Sequence, residues 1–488
     1  MTLSAKYKSN QESLVFFGLW SALGVLCIWA SILSEQYWLL LIPPCVFAGI
    51  FTISDFRFLY YLLFLSLPFS VEYYLPNGLG TDLPTEPLMW VITGVSLLIF
   101  LRDFGKIEIS IFKNLLTFLL ILHISWIFFT SCISEDFTRS IKFFLAKIWY
   151  VIPFYLLFAG LVKDEKFVKR VLLILLWSLL IAIIYVLIRH AQFDFSFKSS
   201  NTVVRPIFRN HVSYAAILVV FLPYLLTLRE LISSFLLKKM IPFIGVLFVI
   251  AIYFSYTRAA IASVGIALVA HAIIHRKKVK TTLIISSVAL MVLLGFLIHN
   301  NNYLRFAPQY ERTITHYKFD NLIEATYKLE DISTMERVYR WVAGVEMIID
   351  RPLTGFGPGT FYNFYKSYTV TSFQTYVSDN PDQSGVHNYF LMTFIEQGLI
   401  GFLIFAALCF TILIYGERIY HLAVSSKEKS LIMSALLSFI IILSMLLIND
   451  LVETDKVGTF FFVNAAIICY FEHKYRRNTD TNPSKISV

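Results

Sequence analysis

Apolar runs, most of roughly 16–22 residues, recur along this chain, near the length of about 20 residues that crosses a hydrocarbon core of about 30 Å as a helix. They lie near residues 14–33, 37–54, 58–71, 87–101, 114–133, 143–162, 168–188, 213–228, 240–257, 259–275, 281–299, 389–415, 430–449 and 457–472. The third and fourth runs are short enough to form one re-entrant unit. The pattern predicts an all-α polytopic membrane protein with about 14 transmembrane helices, or about 12 on the stricter count. The short alternating strands of a membrane β-barrel are not present in the pattern. Three regions follow: an N-terminal transmembrane bundle over 1–299 with about 11 spans and an external loop at 189–212, a large external loop over 300–388, and C-terminal spans with a cytoplasmic tail over 389–488.

Lys and Arg in the short loops set the orientation. With the N-terminus inside, cytoplasmic clusters fall at Arg102/Lys106/Lys113, Lys163/Lys166/Lys169/Arg170, Arg229/Lys238/Lys239, Arg276/Lys277/Lys278/Lys280, Arg418/Lys427/Lys429 and Lys474/Arg476/Arg477. The alternate loops around Ser34–Gln36 and Glu72–Glu86 carry neither residue. Both termini are therefore expected in the cytoplasm. Residues 241–274 are apolar apart from Arg258 and have basic clusters at both ends. A hairpin turning at Ser255–Ala260 satisfies both clusters, and it places Arg258 at the outer face.

Composition agrees with this class. The chain is 57% hydrophobic and 15% charged, against about 25% charged in soluble domains, which excludes a soluble enzyme. The net charge of +9 follows from the cytoplasmic clusters. In the long loop the basic residues are slightly outnumbered by acidic ones, so no nucleic-acid surface is expected. The five cysteines all fall in apolar runs, which leaves neither a disulfide framework nor a cysteine metal site. The polar start at Met1–Ser13 leads into a run too long for a signal segment, and a retained first helix is expected.

Within the long loop, residues 333–349 read as an amphipathic helix. Ser333 and Glu336 have the capping-box spacing. Val338, Trp341, Val342, Val345 and Ile349 follow the helical period, and Arg337 and Arg340 share a face. Gly355-Phe356-Gly357-Pro358-Gly359 follows a helix and lacks the Lys-Ser/Thr ending of a phosphate loop, so it reads as a sharp turn. Arg258, between two spans, either snorkels to the interface or meets an anion. Arg337 and Arg340 either lie at the headgroups or bind an anion. His387, opening the next apolar run, is either a helix-end hydrogen-bonder or a base. Glu396, nine residues on, falls on the opposite side of a straight helix and reads as a holder of a neighbouring helix or backbone group. Asp82 and Glu86 have a spacing seen in carboxylates that bind a metal, a weak signal.

Taken in order, these residues resemble the O-antigen ligase/polymerase superfamily. The resemblance rests on Arg337 four before Trp341, on Pro352-Leu353-Thr354-Gly355-Phe356-Gly357, and on His387-Asn388 leading to Glu396-Gln397-Gly398-Leu399-Ile400-Gly401. Thr257-Arg258-Ala259-Ala260 is similar to a Ser-Arg-Gly-Ala segment of that superfamily, with Ala in place of Gly. It covers roughly 250–415. The resemblance implies a GT-C-like helical bundle and a metal-independent glycosyltransferase without cofactors. The donor would be an undecaprenyl-diphosphate-linked glycan at the outer leaflet of the cytoplasmic membrane, and the second substrate a glycan acceptor. Membrane lipids, a flippase and chain-length regulators would be its partners. Arg258 and Arg337 would grip the donor diphosphate, His387 would act on the acceptor hydroxyl, and Arg340, Arg209 and Glu396 would assist. Polymerisation of repeat units, including teichuronic-acid-type wall polymers, is the expected activity. The alternatives are a ligase acting on lipid A core or protein, and a lipid-linked glycan flippase or other transporter, although no internal repeat is evident.

Overall fold

The computed structural model describes residues 22, 24–31, 33–34, 36, 55–74, 80–102, 114–300, 302, 332–370, 378–380 and 384–481. The chain divides into two units, residues 1–64 and 65–488. In the first unit, residues 24–31 are helical, and helix α1 (Arg57–Ser66) begins there.

Pro68, in a short turn after α1, has no N–H to continue a helix. The chain instead extends through Val71-Glu72-Tyr73-Tyr74, β-branched and aromatic residues suited to a strand. This β1 (Val71–Tyr74) pairs antiparallel with β2 (Gly80–Leu83), Glu72 facing Asp82. The expected helical class holds, with this one small ribbon within it, and the run expected at 58–71 ends early.

Helix α2 (Thr85–Arg102) follows. Asn and Asp side chains then set where the next long helices start, by accepting backbone N–H groups that have no partner in a first turn. Asn114 Oδ1 accepts from Leu116 at 2.9 Å to open α3 (Leu115–Cys132). Asp136 opens α4 (Phe137–Leu161) and Asp164 opens α5 (Glu165–Ala191). Within α4, Pro153 interrupts the bond ladder and Ile152–Leu157 winds as a wider π turn. A short α6 (Ser200–Val204) leads to α7 (His211–Phe221), capped by Asn210. Pro223 then bends α7 by 42° from α8 (Tyr224–Leu231), so the run expected as one span at 213–228 is a broken one.

Residues 241–274 are likewise broken: α9 (Phe235–Phe254) stops and, after three intervening residues, α10 (Arg258–His275) begins. Ser255 Oγ returns to Ile252 O at 2.6 Å, and Tyr256 adopts a left-handed φ of 54°. The second unit continues with α11 (Val279–Ile298), α12 (Ile332–Asp350), the single turn α13 (Phe361–Phe364), α14 (Tyr389–Leu422), α15 (Ser426–Leu446) and α16 (Asp455–Thr481). Every residue from Asp455 to Cys469 is buried, so α16 is the centre around which α4, α7, α14 and α15 pack. Its one Asn there, Asn464, is bonded to Tyr224 and to Ser438 Oγ at 3.0 Å.

Eight helices among the described residues are long and apolar enough to cross a membrane, or nine counting the bent pair. This is a multi-pass helical membrane protein, and the expected count of about 14 exceeds what the described residues display. The runs at 14–33 and 37–54 lie largely or wholly outside the described residues. Those at 58–71 and 87–101 form shorter apolar helices. The last, 457–472, sits in α16, whose polar ends keep it outside the eight.

The long-loop helix forms as expected over Ile332–Asp350, but it buries a different face. Met335, Tyr339, Ala343 and Met347 are buried, whereas Val345 and Ile349 are exposed. Small residues decide this: at Gly344 an added Cβ would meet Ile395 Cδ1 at 2.6 Å, so only a small-residue face can approach α14 this closely. Ser333 lies inside the helix rather than at its cap, and Glu336 turns to Ser378 Oγ at 2.8 Å instead of closing a capping box.

Candidate functional site

The site is built around a break in α14. Gly398 has φ 68° and ψ −174°, non-helical values that free several backbone groups inside the bundle. Such groups must find partners where water is excluded. Phe356 N–H donates to Ile395 O at 3.1 Å and Gly357 N–H to Glu396 O at 2.9 Å. Leu399 N–H donates to Pro352 O at 2.8 Å, and Trp126 Nε1 donates to Gln397 O at 2.8 Å. The glycine-rich segment after α12 is thus a plug for the broken helix. A Cβ at Gly398 would stand 2.1 Å from Leu353 O, and one at Gly355 would stand 2.5 Å from Ile395 O. Glu396 completes the joint: its carboxylate accepts from Gly359 N–H at 2.8 Å and Phe361 N–H at 3.1 Å. Glu396 therefore holds backbone, and it does so from a buried position.

The plug fixes α12 against the start of α14, where His387 lies. Asn388 caps α14 through Leu391 N–H at 3.0 Å, and His387 before it takes a left-handed φ of 55°. A non-glycine residue holds that conformation only where its surroundings enforce it. Two side chains of α12 do so. Trp341 Nε1 donates to Val386 O at 3.0 Å, and Arg340 Nη1 donates to Gly385 O at 3.3 Å. On the other side stands Asp450, just past α15. Its Oδ1 is 3.7 Å from His387 Nδ1, and its carboxylate packs so close to Gly385 that a Cβ there would lie 2.4 Å from Oδ2.

Three guanidinium groups act on this histidine. Partial burial, with the charges of Arg337, Arg340 and Arg209, pushes the His387 imidazole down to about 3, so it is neutral at physiological pH. Partial burial pushes the Asp450 carboxyl up, against the pull of the same three arginines. Arg340 is buried and lies 3.5 Å from Glu336; Arg209, largely exposed, lies 3.5 Å from Glu72 on the β-ribbon. Residues widely separated in the chain thus make one cationic recess around a neutral imidazole and a carboxylate.

Arg258 is placed elsewhere on the same end of the bundle. It opens α10, where Thr257 Oγ1 donates to His211 O at 3.3 Å, and its charge acts on His211. The charges acting on His387 come from the other three arginines. Among the described residues no group of three or more His, Cys, Asp and Glu is arranged to hold a metal ion. Asp82 faces Glu72 across the ribbon, and partial burial beside the Asp455 carboxylate pushes it up to about 7.

Sequence reasoning did not single out Asp450. The available signal was a carboxylate directly after an apolar run, at the end of the bundle that also holds His387.

Residues 243–406 match the family model described as O-antigen ligase. This match supports the resemblance of this part of the chain to the O-antigen ligase/polymerase superfamily. No curated protein matches the chain.

Proposed function

We propose that the chain is a membrane glycosyltransferase that joins undecaprenyl-diphosphate-linked oligosaccharide repeat units into a cell-surface or cell-wall polysaccharide at the outer leaflet of the cytoplasmic membrane. The observation that carries this reading is the gathering of Arg337, Arg340 and Arg209 around a neutral His387 beside Asp450. A diphosphate leaving group gains negative charge as its bond to the sugar breaks, and guanidinium groups meet that charge with planar pairs of N–H donors. In this reading they do the work a metal would otherwise do, and no cofactor enters.

Asp450 faces Nδ1, which favours the proton on that nitrogen and leaves Nε2 as the acceptor. The acceptor hydroxyl oxygen attacks the anomeric carbon of the donor, and the carbon–oxygen bond to the diphosphate breaks. The hydroxyl proton passes to His387 Nε2. Arg258, with His211 beside it, extends the cationic surface toward the 189–212 loop.

Purified lipid-linked repeat units, supplied to the detergent-solubilised protein with EDTA present, test this directly. Wild type should lengthen the glycan with no other acceptor. His387→Ala should lose roughly 10²–10⁴-fold in turnover, and Arg337→Lys should be far from conservative because an ammonium lacks the planar fork. Turnover of His387→Ala within about threefold of wild type would remove the base from the mechanism, and loss of wild-type activity on chelation would make the enzyme metal-dependent. The description of the matched family favours a second reading, ligation of a finished glycan. In that case products would form only when lipid A core or an acceptor protein is added.

A further inference from the structure

Lys147 of α4 is 4% exposed, and the function above makes no use of it. Its ammonium donates to Glu453 Oε1 at 2.5 Å and to the Tyr389 hydroxyl at 3.2 Å, and it lies 4.9 Å from the Phe143 ring centre. Tyr389 and Glu453 thus meet at one ammonium, and the Glu453 charge also acts on the Tyr389 hydroxyl, so the three groups form a triangle. Each partner ends a short segment that carries one member of the site. Tyr389 opens α14 two residues after His387, and Glu453 ends the single turn Leu451–Glu453 that follows Asp450.

We propose that Lys147 is a positioning residue that sets the separation of His387 and Asp450 by tying Tyr389 to Glu453. The inference rests on the reading of His387 as the base. The His387 Nδ1 to Asp450 Oδ1 distance of 3.7 Å lies just beyond hydrogen-bonding range, where a small movement of either segment makes or breaks the contact. That contact holds the imidazole tautomer and stabilises the imidazolium as the proton arrives. An ammonium at this depth is costly, and apolar side chains of similar volume would join the segments for stability alone at least as well. What a charged triangle adds is a fixed geometry between two chain segments that share no sequence proximity.

The test compares wild type with five variants on purified lipid-linked repeat units, with kcat, donor KM and the thermal midpoint measured for each. Tyr389→Phe deletes one arm of the triangle and leaves the Lys147–Glu453 pair intact. The double variant Lys147→Met/Glu453→Gln removes both charges, so that neither is buried alone. His387→Ala and Asp450→Asn serve as references. Tyr389→Phe should lower kcat by about 10- to 100-fold with donor KM held within about twofold, the loss expected for a misplaced catalytic group. Placed on Asp450→Asn, it should cost nothing further, because both changes disable the same contact. Additive losses, or a raised KM at unchanged kcat, would overturn the proposal. If the double variant fails to fold, the Tyr389→Phe cycle decides alone. An inactive His387→Ala beside wild-type rates in Tyr389→Phe would sink the positioning role only. Wild-type turnover in His387→Ala would sink the base itself, and this inference with it.

Discussion

A histidine surrounded by three arginines is a weak base until something cancels their charge. Before a donor binds, partial burial together with the charges of Arg337, Arg340 and Arg209 holds His387 down to about 3. A bound diphosphate carries the opposite charge, and its arrival raises the proton affinity of the imidazole. The two pH profiles of the enzyme should therefore differ, since kcat/KM reports the free enzyme and kcat the loaded one. Activity falls as the base protonates, so the acidic limb of donor kcat/KM should lie far below the ordinary value of 6.5. The limb of kcat should sit at higher pH. A single limb near 6.5 in both profiles would mean that the arginines do not act on the base. At this scale the residue types were legible: His387, Arg337, Arg340 and Arg209 all stand out as charges at apolar boundaries. Their grouping was not, because periodicity reports faces of one helix and not which distant segments meet. Asp450 shows the gap, as does the placement of Arg258 beside His211.

Elements meet here through backbone as much as through side chains. The break at Gly398 is stable because the 352–359 segment supplies the missing donors and acceptors. Gly398→Ala should therefore lose stability on two counts: the left-handed φ of 68°, worth about 1–3 kcal/mol by itself, and a Cβ 2.1 Å from Leu353 O. The thermal midpoint in detergent should fall by several degrees, as about 1 kcal/mol moves it by roughly 2–4 °C at larger domain sizes. Gly295→Ala, with open space around its Cβ, is the control and should leave the midpoint unchanged or raise it. Equal midpoints for the two variants would show that the plug contributes nothing. The sequence marked the glycines of both segments but read 355–359 only as a turn, since nothing local tells a turn that its amides will serve another helix. The long-loop helix teaches a similar lesson. Its position was legible from the 3.6 period, whereas its buried face was not. Apolar stripes point to a core only where the alternative is water, and beside a membrane Val345 and Ile349 stay outside while Ala343 and Gly344 allow close packing.

Across the second unit, charge separates into two ends. At one, Lys427 pairs with Glu165 at 2.6 Å and Lys474 with Glu428 at 2.7 Å, while Ser426 bonds Glu230 and His421 approaches Ile274 O at 2.8 Å. These are the segments whose Lys and Arg the positive-inside preference assigns to the cytoplasm. At the other end stand the β-ribbon, Arg209, Arg258, Arg340, His387 and Asp450. Helix α5 joins the ends, beginning at Glu165 and finishing at Ala191 beside the loop that carries Arg209. A donor held in the outer leaflet meets this second end only if it faces outward. Single cysteines placed in a background free of Cys27, Cys45, Cys132, Cys409 and Cys469 measure the orientation. Thr202→Cys, exposed within α6, should react with an impermeant maleimide in intact cells. Val424→Cys, 89% exposed between α14 and α15, should react only after the membrane is permeabilised. The reverse pattern would put the arginine recess in the cytoplasm, where a lipid-linked donor facing outward cannot reach it, and the polymerase reading would fall with the orientation. Labelling of both positions from outside would break the pairing of the two ends itself, because α14 joins His387 to Val424 without a second crossing.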